Sequence, residues 1–277
     1  MKKNVHYLIL LVGIVLIAFF LMIPLIQSIF PTFLTENGGI GNYTGFFADD
    51  FYRGIYFRTI RVSLIVTFVS FILGLPTAYY MAGLSKKWRS LLMAATLFPL
   101  LTNSVIRSFA WINILGRNGV VNNLLMSLGA IETPLTMLFT EFAIIIGSVY
   151  LFLPTMILTL VGVLENIDGE MLEAALTLGA SPFKVFLKFI LPLSLPGAVV
   201  GSILVFTGTL TAYTTPQLLG GNQRMMMATF LYQQATTLGN WNNASVIAFI
   251  LIVTTVIVMK GLELIAKRLD KRGVQNA

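Results

Sequence analysis

Residues 142–163 read FAIIIGSVYLFLPTMILTLVGV, and residues 164–196 continue LENIDGEMLEAALTLGASPFKVFLKFILPLSLP. The first stretch is 22 residues long and carries no charge. As a helix it reaches about 33 Å, enough to cross a hydrocarbon core of about 30 Å. Its apolar character is continuous rather than alternating, which argues against a barrel strand. The second stretch is too long for a helix-to-helix turn of about 2–8 residues. Asp168 is placed to cap a short helix with Glu170 and Glu173 in its early turns, where acids suit the macrodipole. Gly179 reads as its terminator, because the position after a helix often takes the left-handed conformation. Ser181-Pro182 reads as a second cap followed by proline at the first helical position. Phe183, Phe186, Leu187 and Ile190 then form one apolar face, with Lys184 and Lys188 off it. Pro192 and Pro196 are expected to break the chain before the next span. The expectation is two short helices at an angle, protruding from the membrane and shaped to dock.

The rest of the chain repeats the apolar theme. Of 277 residues, 57% are hydrophobic and 10% charged, against about 25% charged in an average soluble domain. The mean hydropathy is +0.87. This excludes an ordinary water-soluble enzyme and a disordered chain. There are no cysteines, which excludes disulfides, thiolate metal sites and a Cys nucleophile. His6 is the single histidine, which excludes a multi-His metal site. Six apolar runs fall at about 8–30, 62–84, 91–115, 142–163, 197–219 and 243–264. They predict an all-α polytopic membrane protein with six transmembrane helices. The first run follows Lys2 and Lys3 but is too long for a secretory signal, and no small-residue cleavage site follows it, so it reads as a retained helix. Pro24, Pro76, Pro99, Pro154 and Pro216 fall inside runs and remove backbone donors.

Basic residues set the expected orientation. With the N-terminus in the cytoplasm, Lys2, Lys3, Lys86, Lys87, Arg89, Lys184, Lys188, Lys260, Lys267, Arg268, Lys271 and Arg272 face inward. That is twelve of the 18 basic residues, so the net charge of +7 is mostly a topology signal and no nucleic-acid partner is expected. An even number of spans puts both termini inside. The outer loops are then turn-rich 31–61, with Gly38, Gly39, Gly41 and Asn42; 116–141, where 120–128 suits a short interfacial helix; and 220–241, where Met225, Met226 and Met227 suit packing better than metal binding.

The inner loop carries a family resemblance. Glu173-Ala174-Ala175, three residues, Gly179, nine residues, then Phe189-Ile190-Leu191-Pro192 resembles the E-A-A loop of bacterial ABC importer permeases. Phe189 stands where the pattern has an aliphatic residue. The resemblance covers about 58–264 and implies the type I (MetI-like) importer permease fold. It divides the chain into an N-terminal helix and outer loop (1–57), a permease core (58–265) with a cytoplasmic coupling loop (164–196), and a basic tail (266–277). It also implies that Glu173, Ala174, Ala175, Gly179, Ser181, Pro182, Leu191 and Pro192 seat the loop on a cytoplasmic ATPase. The residues themselves leave a second reading, in which Gly179 lets the two short helices turn closely and Glu173 hydrogen-bonds their junction. A narrower resemblance, to spermidine/putrescine permeases, rests on 107–111 with 115–119, on 172–197, and on 212–221.

The chain has no phosphate-binding loop of the G-x-x-x-x-G-K-[ST] type. The resemblance therefore implies a permease without its own enzymatic activity or cofactor, with ATP and Mg bound by a separate P-loop ATPase dimer. It further implies a second six-helix permease subunit, an extracytoplasmic solute-binding protein, a bacterial inner-membrane location, and alternating access. For the translocation path, Arg107 and Glu141 are the ionisable groups nearest membrane depth. Asn103, Trp111, Thr211 and Tyr213 are further candidates, aromatic faces being attractive to alkylammonium groups. An interfacial anchor or an Arg–Glu pair is the alternative for the two charges. Alternatives for the whole chain are the same importer class with another small charged solute, an ion-coupled secondary transporter, which usually needs midplane carboxylates, a channel, or an intramembrane enzyme.

Overall fold

The computed structural model describes residues 11, 13–34 and 39–269, with side chains to Ile265. The expectations for His6, Lys2, Lys3 and the basic tail lie outside these residues. In chain order the helices are α1 (Gly13–Phe33), α2 (Gly41–Ala48), α3 (Asp50–Ala82), α4 (Lys86–Leu101), α5 (Ser104–Leu115), α6 (Val120–Ser127), α7 (Glu141–Leu164), α8 (Gly169–Thr177), α9 (Pro182–Thr211), α10 (Thr214–Gly220), α11 (Met227–Tyr232) and α12 (Trp241–Leu269). No strand forms among the described residues. Helices α1, α3, α7, α9 and α12 are each long and apolar enough to cross a membrane. A sixth span exists if Lys86–Leu101 and Ser104–Ser127, bent by 91°, count as one.

Three expectations change. The first outer loop is largely helical. Asp49 Oδ1 accepts from the backbone N–H of Phe51 and Tyr52 at 2.7 and 3.3 Å, so a capped helix starts at Asp50 rather than near 62. At 33 residues, α3 is about 50 Å long and overruns a bilayer core of about 30 Å. The third run, 91–115, is not continuous. Thr102 and Asn103 are extended (ψ 138° and 132°), and the Asn103 side chain accepts from Val105 and Ile106 N–H to start α5 afresh. Hydropathy is blind to such a break, because the residues on both sides are equally apolar. The fifth run is shifted. Helix α9 already begins at Pro182 and ends at Thr211, and Ala212 is extended before α10.

Pro192 and Pro196 therefore lie inside a continuous helix instead of ending one. A π-helical turn, Phe186–Ile190, lies immediately before Pro192: the Leu191 N–H reaches back to Phe186 O, a five-residue step, and Pro196 sits inside the α-helix that follows. Ser194 Oγ donates to Leu191 O at 2.8 Å nearby. The same turn rotates the apolar face. Val185 and Ile190 are buried, while Phe183 and Leu187 point outward.

The chain separates into two compact units, 1–54 with 230–252, and 55–229 with 253–277. Residues 230–252, placed in the core by sequence, thus group with the N-terminal segment. The smaller unit is held by aromatic packing. Tyr43 lies 5.0 Å from Phe33 and 5.2 Å from Phe249, ring to ring. Its hydroxyl hydrogen-bonds Thr32 Oγ1 at 2.6 Å.

The larger unit is built around α7, which packs on α4, α5, α9 and α10. Its core joins Val62 and Val66 of α3 to Met156, Leu160 and Val161 of α7 and Ala198 and Val205 of α9, with Met226. Helices α7 and α9 approach closely because α9 carries glycine at the contact. A Cβ on Gly201 would lie 2.5 Å from Thr159 Oγ1 and 2.7 Å from Met156 Sδ. Such small-residue contacts are how helices associate where hydrophobic driving force is absent. Met226 and Met227 are fully buried, and Met227 N–H donates to Thr59 Oγ1 at 2.9 Å, so these methionines pack.

Candidate functional site

The α8–α9 junction has the punctuation its sequence predicts. Asp168 Oδ1 accepts from Glu170 N–H at 2.9 Å. At the other end, Gly179 N–H donates to Leu176 O at 2.9 Å and Ala180 N–H to Ala175 O at 3.1 Å, the paired bonds of a Schellman motif. Gly179 has φ +85°. An added Cβ there would meet nothing within 4 Å, so the glycine serves the backbone conformation and not close helix approach. Ser181 Oγ accepts from Lys184 N–H at 3.4 Å, with Pro182 at the first helical position.

The outer surface of this junction is apolar and open. Leu178 is 88% exposed and Phe183 70%, whereas Ala175 and Val185 are buried beneath them. Glu173, Ala174, Ser181, Pro182 and Pro192 are exposed, and Leu191 is half-buried. Among the described residues the Glu173 carboxylate makes no hydrogen bond. Its backbone carbonyl accepts from Thr177 Oγ1 at 2.9 Å instead. The second reading of Glu173, as a junction bond, therefore does not hold.

The other candidate residues collect at two helix breaks. At the first, Asn103 caps α5, and Arg107, only 7% exposed, donates through Nη1 to Pro99 O at 2.6 Å and Thr102 O at 3.3 Å. A guanidinium thus satisfies carbonyls freed where α4 ends. At the second, Thr211 Oγ1 bonds back to Thr207 O at 2.9 Å and Tyr213 stands between α9 and α10. Helices α5 and α10 pack together and on α7, so the two breaks belong to neighbouring segments. Trp111 of α5 meets Tyr150 of α7 edge to face at 5.7 Å. Tyr150 was not singled out by sequence; its signal is a phenol in the middle of a charge-free span.

Glu141 lies elsewhere, at the start of α7. It does pair with arginine, but with Arg61 (2.6 Å) and Arg58 (3.4 Å) of α3, while Arg107 turns to carbonyls. Arg58 also donates to Met225 O at 3.1 Å. A second pair that sequence missed, Arg89 with Glu165 at 3.4 Å, sits just before α8. Among the described residues no cluster of metal-ligating side chains occurs.

Comparison with known proteins fits this architecture. The family model described as binding-protein-dependent transport system inner membrane component matches residues 70–273. The chain is 34% identical to the spermidine/putrescine transport system permease protein PotB of Haemophilus influenzae over 238 residues, 83% of each chain. It is 33% identical to the protein of the same name from Escherichia coli K12 over 230 residues, 80% of this chain and 83% of that one. In fold it resembles a chain of a bacterial alginate ABC transporter solved with a pentasaccharide-bound periplasmic protein (TM-score 0.81, 17% identity, 98% of this chain and 96% of that one).

Proposed function

The chain belongs to the family of binding-protein-dependent transport system inner membrane components, and from that premise we propose how it works and what it carries. It is a multi-pass inner membrane protein and the permease subunit of an ABC importer. We propose that its solute is a polyamine, spermidine or putrescine. The support is the name borne by its relatives at 33–34% identity over four-fifths of the chain, with aromatic side chains at Trp111, Tyr150 and Tyr213 suited to alkylammonium groups.

The observation that carries the coupling role is the capped, glycine-reversed α8–α9 junction, with Leu178 and Phe183 held outward. On our reading this junction, with Glu173, Ala174, Ala175, Gly179, Ser181, Pro182, Leu191 and Pro192, docks on a separate P-loop ATPase. ATP and Mg bind there, and hydrolysis occurs there. A second permease subunit, most simply a different chain, completes the pore, and an extracytoplasmic binding protein delivers solute. Both termini lie in the cytoplasm. ATP binding draws the paired ATPases together and swings the docked loops, and the two permeases exchange inward- and outward-facing states as rigid bodies. Asn103, Arg107, Trp111, Glu141, Thr211 and Tyr213 are the proposed path-side residues.

The test is ATP-dependent uptake of labelled spermidine by the reconstituted transporter, with excess unlabelled spermidine or putrescine as competitor. Competition by either supports the polyamine reading. ATP-driven uptake of another solute, indifferent to both, removes the polyamine and keeps the importer. Purification of the chain without any ATPase partner removes the importer.

A further inference from the structure

Glu165 closes α7 and stands three residues before Asp168 caps α8. Its Oε2 lies 3.4 Å from Arg89 Nε. Arg89 is in the first turn of α4, and its Nη1 donates to the carbonyl of Ala82, the last residue of α3, at 3.2 Å. One guanidinium therefore joins the end of α3, the start of α4 and the hinge that leads into α8. The side chains are 23% and 39% exposed, so the pair is less screened than one standing free in water.

The other contacts at this corner are apolar, and a cavity of about 450 Å³ lined by Tyr79, Tyr80, Gly83, Glu165, Gly169 and Leu172 opens beside it. Within α8 only Ala175 is buried. The remaining contacts of the hinge are apolar: Leu164 and Ala175 are buried in the core cluster that also holds Met81, and Ile167 and Leu172 pack against it. Apolar contact is non-directional, whereas one planar guanidinium held by Ala82 O at Nη1 and by Glu165 at Nε ties the three segments to one another. Arg89 lies in the first turn of the 16-residue helix α4, which runs unbroken to the Thr102–Asn103 break.

We propose that the Arg89–Glu165 pair is the strut through which displacement of the coupling loop reaches the broken third span, Arg89 acting as a positioning residue for transport. This rests on the coupling role proposed above. The strut touches neither solute nor nucleotide. It determines how much of each ATPase stroke arrives at α4.

The experiment uses the complete transporter, with both permeases, ATPases and binding protein, in proteoliposomes. Spermidine uptake and ATP hydrolysis are measured on the same preparation. Arg89→Glu and Glu165→Arg are each expected to lower spermidine moved per ATP by about fivefold or more. The double exchange restores opposite charges and is expected to return within about twofold to threefold of wild type, short of full recovery because residue 89 then loses its bond to Ala82. Arg89→Lys keeps the charge but not the fork, and is expected to lose about twofold to threefold. A double exchange no better than the single variants overturns the strut. So do single variants with the wild-type ratio. If the single variants do not assemble with the ATPase, Arg89→Lys decides alone, and an unchanged ratio there overturns it. A wild-type transporter that moves no spermidine with ATP removes the polyamine reading instead, and the same ratios are then read with the solute whose uptake it does drive, so the two failures stay distinct.

Discussion

Replacing Gly179 by alanine isolates a single physical term. The residue has φ +85°, and its missing Cβ faces open space. No steric contact contributes, so the cost is that of holding an L-residue in the left-handed region, about 1–2 kcal/mol. An undocked loop can relax away from that conformation, but a docked one must hold it. The cost therefore appears in the docking equilibrium, and the affinity of the ATPase for the permease falls by about 5–30-fold. Asparagine tolerates the left-handed region better and should lose only a few-fold; valine should lose at least as much as alanine. Aspartate adds charge to an apolar docking surface, and is expected to abolish coupled uptake while the chain still inserts. Gly169→Ala serves as the control. It lies at the start of α8, has no positive φ and no atom within 4 Å of an added Cβ, and should bind at least as well as wild type. The assay is titration of nanodisc-embedded permease with labelled ATPase subunits. Wild-type affinity for Gly179→Ala, or an equal loss in Gly169→Ala, would refute the argument.

Two further predictions concern the scaffold. Gly201→Ala should destabilise the chain by about 1–3 kcal/mol, because its Cβ would press on Thr159 and Met156; Gly162→Ala, helical and unobstructed, should be neutral or stabilising by up to about 1 kcal/mol. Thermal unfolding in one detergent compares them, and equal shifts would contradict the packing account. Arg107→Met removes the donor that satisfies Pro99 O and Thr102 O. The native chain lacks cysteine, so spin labels at Leu92 and Asn113 report the bend cleanly. Their distance distribution should broaden in the variant, and an unchanged narrow distribution would show that Arg107 does not hold the break.

The class of fold was legible because hydropathy over about 20 residues is a strong signal. The α8–α9 junction was legible because caps act over three or four residues: Asp168, Gly179, Ser181 and Pro182 each do what their side-chain chemistry predicts. What failed depended on events between those scales. Pro192 and Pro196 are helix breakers by local rule, yet the helix runs on through both, with a π turn at Phe186–Ile190 just before Pro192 and Phe183 left facing outward. The break at Thr102–Asn103 was hidden because Leu100, Leu101, Val105 and Ile106 keep the hydropathy high across it. Arg107 and Glu141 stand out in the sequence as charges beside long apolar runs. Their partners were not legible, because Pro99 O is a backbone atom and Arg61 is 80 residues from Glu141.

The two broken spans are joined through the segments beyond their breaks. A break at membrane depth frees carbonyls that hydrocarbon cannot satisfy, so it persists only where protein or a watery cavity covers it. At Thr102–Asn103 the chain supplies its own cover. Asn103 takes up two N–H groups of α5, and Arg107 takes up the carbonyls of Pro99 and Thr102. That break is electrostatically closed, with a buried cation already in place. At Ala212–Tyr213 the bonds include Thr211 Oγ1 to Thr207 O and Ala212 N–H to Thr209 O, and Thr211 remains exposed. Since α10, beyond the second break, packs on α5, beyond the first, Arg107 holds in place the segment on which the far side of the second break rests.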